Sequence, residues 1–525
     1  MSIFTKAQRL GPAAMIMAGS VFLSRFMGLL RDKAISYYYG AGPETDIYNA
    51  SFAIPDFINY LLAGGYFSIT LIPLLTRYFK NSDKDGWAFF SSAFWWVVIA
   101  ISSVTALAWV FAPELSYLAA PGFDEAARLK LTAFLRIILP AQACFLPGAC
   151  FTALLIMRRQ FTIPALTPLV YNGCIILTGL IFTYLAPERG IEGFSWGVLV
   201  GAALGSLIIP CLAARAGGLG LKPVLLHPGL KKFILLALPL MLGQSIVVLD
   251  EQFVRIFGSL GPEGAISHLN YARRIMMVPV GVVAQAAGVA SYPFLAALVA
   301  QGDRKGFDGT VNKALLTTIA VIIPLSAWMI SAATPTIRLI FEQGRFSPEA
   351  TQASAVLLAI MLCSTAFWAI QQVLGRGFYA NENTLTPVLV GTASTVCALP
   401  CYYLGAVYFG AVGVALAGVA SLAFYTAFML WRWRAHFGAG ALGGLLRRIA
   451  AVTALSAPCA LASYLAAEKI PGQFSALSTH HLLSAFLAIC IGFAVFTLLF
   501  APLLHWLLPA IWKDTVGAII RRKNC

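Results

Sequence analysis

Charge is what this 525-residue chain has least of. Asp, Glu, Lys and Arg together make up 11% of it, against about 25% in soluble domains. That scarcity argues against a water-soluble enzyme and against a disordered chain. Acids are the scarcer sign, 21 against 36 Lys and Arg. Histidines number six, and the pair His480-His481 in a loop is a weak metal candidate. No two of the ten cysteines stand at CxxC spacing. Most fall in apolar runs and read as free, buried thiols acting as small hydrophobes, so composition argues against a disulfide scaffold. No GxxxxGK[ST] and no HExxH occurs, which removes a P-loop ATPase and a zinc protease.

What is present is apolar. Hydrophobic residues make up 59% of the chain and mean hydropathy is +0.82. A span needs about 20 apolar residues, so the bilayer is the solvent and the fold class is an all-α polytopic membrane protein. Fourteen helical segments are expected: 11–38, 46–76, 87–112, 130–157, 162–185, 192–214, 230–259, 264–299, 311–333, 349–375, 384–408, 411–434, 444–466 and 482–510. Lys6 and Arg9 precede the first, but Arg25, Arg31, Asp32 and Lys33 follow with no cleavage pattern, so it reads as a retained helix. Placing the N-terminus inside puts 23 of the 36 Lys and Arg on inner segments and 6 on outer ones. That bias follows the positive-inside rule and puts both termini on the cytoplasmic face. It also accounts for the net charge of +15 without nucleic acid.

One spacing recurs. Gly42-Pro43-Glu44 returns as Gly261-Pro262-Glu263, Thr167-Pro168 as Thr386-Pro387, and Leu155 as Leu374, each 219 positions on. Gly122-Phe123 has a looser echo at Gly344-Arg345-Phe346. The repeat predicts two six-helix lobes of the same orientation, 1–220 and 221–440, with residues 441–525 adding two further helices and a basic end. Repeats of this kind place a binding site near the midplane where they meet.

Ionisable residues within the apolar segments are the candidate site, because each costs about 2.5–3.5 kcal/mol at a span centre and must find a partner or a use. Helix one carries Ser24, Arg25, Arg31 and Asp32. Arg25 and Asp32 are seven apart and share a face, while Arg31 is turned roughly 120° from Arg25. Helix seven carries Asp250, Glu251 and Arg255, the last two at i,i+4 spacing for an ion pair. Helix eight carries Arg273 and Arg274 with no acid nearby in sequence. Arginine holds phosphate bidentately and does not deprotonate, so these arginines suit a diphosphate or another polyanion. Gate-closing ion pairs with Asp32, Asp46, Asp56 and Asp250 are the alternative use. Nothing reads as a catalytic constellation or a cofactor site.

The motifs Ser24–Asp32 (SRFMGLLRD), Tyr39–Phe57 (YGAGPETDIYNASFAIPDF) and Gly64–Leu75 (GGYFSITLIPLL) resemble the MurJ/MviN family of lipid II flippases. Arg158–Pro168, Asn270–Val282, Phe341–Ser347 and Gly375–Pro387 continue the resemblance in family order. It implies a fourteen-helix flippase carrying lipid II, undecaprenyl-diphospho-muropeptide, to the outer leaflet of the bacterial inner membrane. It implies a cationic cavity with Arg25, Arg31 and Arg274 on the headgroup, Asp32 as the helix-one acid and Asp46 as an outer-gate acid. It also implies a groove for the lipid tail on the last two helices. Membrane lipids and other cell-wall synthesis proteins are the expected partners, with no cofactor and with drive from the membrane potential or an ion gradient. The sequence departs from the family where an Arg-Arg pair on helix two is replaced by Asn59-Tyr60; Arg255 or Arg273 is the candidate substitute. Rival readings are an exporter of another polyprenyl-diphosphate saccharide, a drug/cation antiporter, which wants an acidic cavity, and a non-transport scaffold, which needs no buried arginine.

Overall fold

The computed structural model describes residues 8–63, 66–438, 440–472, 481–509 and 511–512. Among them every regular element is helical and no strand occurs. The chain divides into two compact units, Met1–Ser267 and His268–Cys525.

The first unit holds α1 (Leu10–Tyr39), α2 (Pro43–Ala50), α3 (Ala53–Ala63), α4 (Tyr66–Asn81), α5 (Asp83–Val110), α6 (Ala112–Ala119), α7 (Glu125–Ile138), α8 (Gln142–Met157), α9 (Thr162–Leu185), α10 (Glu192–Gly201), α11 (Ile209–Ala216) and α12 (Pro228–Gly258). A 3-10 turn joins α7 to α8 and a π-helical turn joins α10 to α11, so Glu125–Met157 and Glu192–Ala216 are continuous spans. The second unit begins within α13 (Ala265–Pro279) and continues through α14 (Ala286–Ala300), α15 (Arg304–Ser331), α16 (Ala333–Phe341), α17 (Pro348–Leu362), α18 (Thr365–Ala380), α19 (Leu385–Phe437), α20 (Leu445–Gly472) and α21 (His481–Leu507).

Ten of these helices are long and apolar enough to cross a membrane, or eleven with the α17–α18 pair, bent by 40°, counted as one. The expected fourteen differ from this in instructive places. Segments 384–408 and 411–434 are found as expected, two helices within the stretch numbered α19 that meet at a kink at Gly410, whose φ of 55° an L side chain rarely adopts. Segment 46–76 is not one rod: α2 ends at Ala50 and α3 begins at Ala53, while residues 64–65, between α3 and α4, lie outside the described residues. Segment 230–259 is a helix of 31 residues that groups with the first unit rather than the second.

Local chemistry sets the ends. Ser82, Asp124 and Ser347 accept backbone N–H bonds at the starts of α5, α7 and α17, the preferred N-cap residues. Proline opens α2, α12 and α17, where its missing N–H costs nothing. Arg158, at the end of α8, is held by two contacts. Its guanidinium donates to Gly217 O at 2.7 Å beyond the end of α11 and lies over the Trp87 ring, a favoured site for a cation.

Each unit has its own packed centre. In the first, Phe89, Phe90, Phe151 and Phe194 are almost fully buried; Phe151 packs at tilted angles on Phe90 and Phe94, and Phe194 meets Tyr39 edge-on. In the second, the buried Trp433 on α19 stacks on Phe307 of α15 and meets Phe378 of α18 edge-on. The last two helices pack on each other and on α15 through Ala320, Val452 and Phe496. Ser463 links them, donating to Gly492 O at 2.8 Å and meeting Ser331 Oγ at 3.1 Å.

Candidate functional site

Two arginines in the first unit are held by carboxylates within apolar helices. On α1, Arg31 Nε and Nη2 donate to Asp32 Oδ1 at 3.1 and 2.9 Å. The side chains are 12% and 5% exposed. Arg31 Nη1 also reaches Asn172 Oδ1 on α9 at 3.5 Å. Asn172 is fixed in turn, its amide donating to Pro168 O. Arg25, two turns earlier, is exposed, and Ser24 is half-buried. The expected sharing of a face by Arg25 and Asp32 holds as helical register; the residue that pairs with Asp32 is its neighbour, Arg31.

The second pair crosses between helices. Arg255 Nη1 on α12 donates to Asp56 Oδ2 on α3 at 2.6 Å and to Gln252 Oε1 at 3.0 Å. The i,i+4 spacing suggested Glu251 as its partner; the partner seen is Asp56, and the side chains of Asp250 and Glu251 lie outside the described residues. Asn59 and Tyr60 follow Asp56 at i+3 and i+4, half-buried and exposed, so all three share one face of α3.

At the Tyr39 end of α1 the duplicated Gly-Pro-Glu segments meet. Asp46 on α2 is 4% exposed. Its Oδ2 accepts from Gly264 N at 2.7 Å, and its Oδ1 from Ser267 N at 2.7 Å and Ser267 Oγ at 2.6 Å. A carboxylate supplied by one repeat thus caps the helix that opens the other. Helix α2 lies outside the candidate spans. Burial pushes the Asp46 carboxyl up to about 6, while the Ser267 hydroxyl and the neighbouring amides pull it down. A cavity of about 460 Å³ opens beside it, lined by Glu44, Lys130, Asp124 and Glu263 among others. Lys130 pairs with Glu44, tying α7 to α2.

The second unit contributes Arg273, half-buried, and Arg274, exposed, on α13. The opposite side of the same turn is anchored. Tyr271 is buried, with its ring 4.7 Å from that of Phe341 and 5.5 Å from that of Phe346. The Phe341–Ser347 motif is thus packing for the arginine-bearing turn. His268, one turn before, meets Ser354 Oγ at 3.0 Å.

Sequence reasoning did not single out Asn172, Gln252 or Ser267. Each is an uncharged polar residue whose meaning lies only in what it faces. Gly193–Gly197 reads GxSxG, the pattern of a hydrolase elbow, but Ser195 is fully buried within α10, not on a strand-to-helix turn. Among the described residues no group of His, Cys, Asp and Glu could hold a metal ion.

The model of the family "Lipid II flippase MurJ" matches residues 35–508. The chain belongs to this family. It is 28% identical over 461 residues, 86% of this chain and 85% of the other, to the "Probable lipid II flippase MurJ" of Rhizobium meliloti (strain 1021). It is 29% identical over 453 residues to the protein of the same description from Vibrio cholerae, covering 82% and 83% of the two chains. In fold it is similar to a structure described as lipid II flippase MurJ in an inward closed conformation, with TM-score 0.77 and 23% identity over 94% of this chain and 99% of that one. An inward-facing multidrug transporter of the MOP superfamily aligns at TM-score 0.62 and 15% identity, over 82% of this chain and 95% of that one. The chain is a multi-pass membrane protein, with ten apolar spans among the described residues.

Proposed function

We propose that this chain flips lipid II from the inner to the outer leaflet of the cytoplasmic membrane by alternating access. Membership of the flippase family over residues 35–508 carries the reading. Its physical core is the cost of the cargo's headgroup: a diphosphate cannot enter hydrocarbon alone, whereas the polyprenyl tail can stay in lipid throughout. The headgroup therefore crosses within the protein, against arginines that replace its water.

Arg25, Arg31, Arg255, Arg273 and Arg274, with Ser24, are the groups we assign to it. Arg31 and Arg255 are held by Asp32 and Asp56, so neither stands as an uncompensated charge when no cargo is bound. A diphosphate exchanges with those carboxylates, and its release lets each pair re-form. Binding and release must differ between the inward and outward forms, since equal affinity would drive nothing. Asp46, capping α13, is the acid we assign to the outer gate; Glu251 is assigned to the same pairing network. With the N-terminus inside, the Tyr39 end of α1 is the outer end. Residues 1–220, 221–440 and 441–525 act as two lobes and a tail-binding pair. No covalent step is involved and no cofactor is needed. Drive comes from the membrane potential, worth about 2.3 kcal/mol per charge per 100 mV, or from an ion gradient.

Expression in a bacterium depleted of its own lipid II flippase should restore growth and the accessibility of lipid II to an outer-leaflet probe. Protein that reaches the membrane yet restores neither overturns the proposal.

A further inference from the structure

The Gly122-Phe123 motif, singled out by its echo in the second repeat, has no place in the site above. Its surroundings give it one. The loop between α6 and α7 is stiff. Asp124 caps α7 through Ala127 N at 2.8 Å. Arg128 donates to Phe123 O at 2.6 Å, with its guanidinium 3.9 Å from the centre of the Tyr117 ring. This braced loop sits directly on the end of α12. Gly122 N donates to Ser259 Oγ at 3.1 Å, and that hydroxyl donates to Ile256 O.

The approach leaves no room for a side chain. A Cβ on Gly122 would stand 2.1 Å from Ser259 O and 2.8 Å from Leu260 Cα. Those atoms are backbone, so no rotamer change relieves the clash. Gly122 is not among the residues with positive φ. An alanine or valine there is therefore compatible with the loop itself and incompatible only with the seat on α12. Three residues beyond that seat, the chain enters the Gly264–Ser267 turn that Asp46 caps.

We propose that Gly122 is a positioning residue of the outer gate: as the one residue type small enough, it lets the α6–α7 loop receive the end of α12, and so lets the gate close. The inference rests on the flipping reading and deepens it. In it, α12 leaves this seat when the outer side opens, and a side chain at Gly122 holds it off.

The test is hydrogen–deuterium exchange of the full-length protein in nanodiscs, with growth complementation and thermal unfolding alongside. Gly122→Val should speed exchange in segments 120–128 and 258–268 and leave 307–323 unchanged. The protection factor at 258–268 should fall about tenfold, the overpacking of roughly 1.4 kcal/mol, and complementation should be lost at an unchanged midpoint. Gly122→Ala should lie between valine and wild type; if the valine protein does not fold, the alanine protein decides by the same criteria. Ser259→Ala, which removes the hydrogen bond and keeps the fit, should change exchange little. Unaltered exchange at 258–268 overturns the proposal, as does faster exchange there with full growth. If the wild-type chain fails to complement, the flipping reading falls on its own, and the exchange data still decide the seat.

Discussion

The two copies of the repeat carry their charges at different places. At the 219-residue offset, Asp46 aligns with Ala265, Asp56 with Ile275, and Arg255 with Ser36; Arg273 and Arg274 align with Ile54 and Pro55. In each case one copy is charged and the other is not. Where both copies are charged, Arg31 aligns with an acid, Asp250, while Asp32 with Glu251 and Glu44 with Glu263 keep an acid in both. The contacts follow this complementarity. Asp56 from the first copy holds Arg255 from the second, and Asp46 from the first caps the helix opening the second. In these contacts the partners come from positions at which the two segments differ.

The largest effects should come from removing charge that has no counterpart in the other copy or is paired with its neighbour. Arg25→Ala, Arg31→Ala and Arg274→Ala should each abolish complementation of a flippase-depleted strain while membrane levels persist. Normal growth of all three would sink the assignment of the cavity.

Next is the pair across copies. Arg255→Ala or Asp56→Ala alone should lower stability by up to about 3 kcal/mol, because each leaves the other charge without its partner. The double substitution should recover part of that loss. A thermal-unfolding double-mutant cycle reads it directly, and strict additivity would show that the pair is not coupled.

A smaller loss is expected at the cap. Asp46→Ala should cost about 1–2 kcal/mol and speed amide exchange at Gly264 and Ser267. Adding Ala265→Asp, which moves the acid to the equivalent place in the other copy, should not restore protection. Restoration would mean that the asymmetry of the repeats is immaterial here.

The smallest effect is that of pH. Burial holds the Asp46 carboxyl near 6, above the value of a carboxylate in water. The capped arrangement therefore binds a proton more tightly than an opened, hydrated one. Lowering pH from 7 to 5 should favour the closed form, and the preference should fade as pH rises through 6. Glu44, Asp124, Glu263 and Lys130 line the same cavity, so the decisive comparison is Asp46→Asn, which should flatten the profile seen by exchange at 258–268.

Much of the helical layout was readable in advance because apolar runs of span length announce themselves. The ends were less so. Segment 46–76 is interrupted between α2 and α3, which average apolarity does not reveal, whereas the kink at Gly410 lies between the expected segments 384–408 and 411–434. In the site, the arginines stood out because charge in an apolar helix is expensive. Their partners did not. Arg255 pairs with a residue 199 positions away, which no local spacing announces.

The sequence by itself determined that this chain lives in a bilayer, that its scaffold is a duplicated set of helices, and which cations must find a use there. These follow from composition and periodicity, which act at every residue and survive any detail of packing. Tertiary structure alone decided that Arg31 turns to Asp32 and Asn172, that Asp46 caps a helix more than 200 residues on, and that Gly122 is pressed against Ser259. Such choices depend on distances of a few ångströms between segments remote in the chain, and hydrogen bonds and close contacts lose most of their energy over that same range.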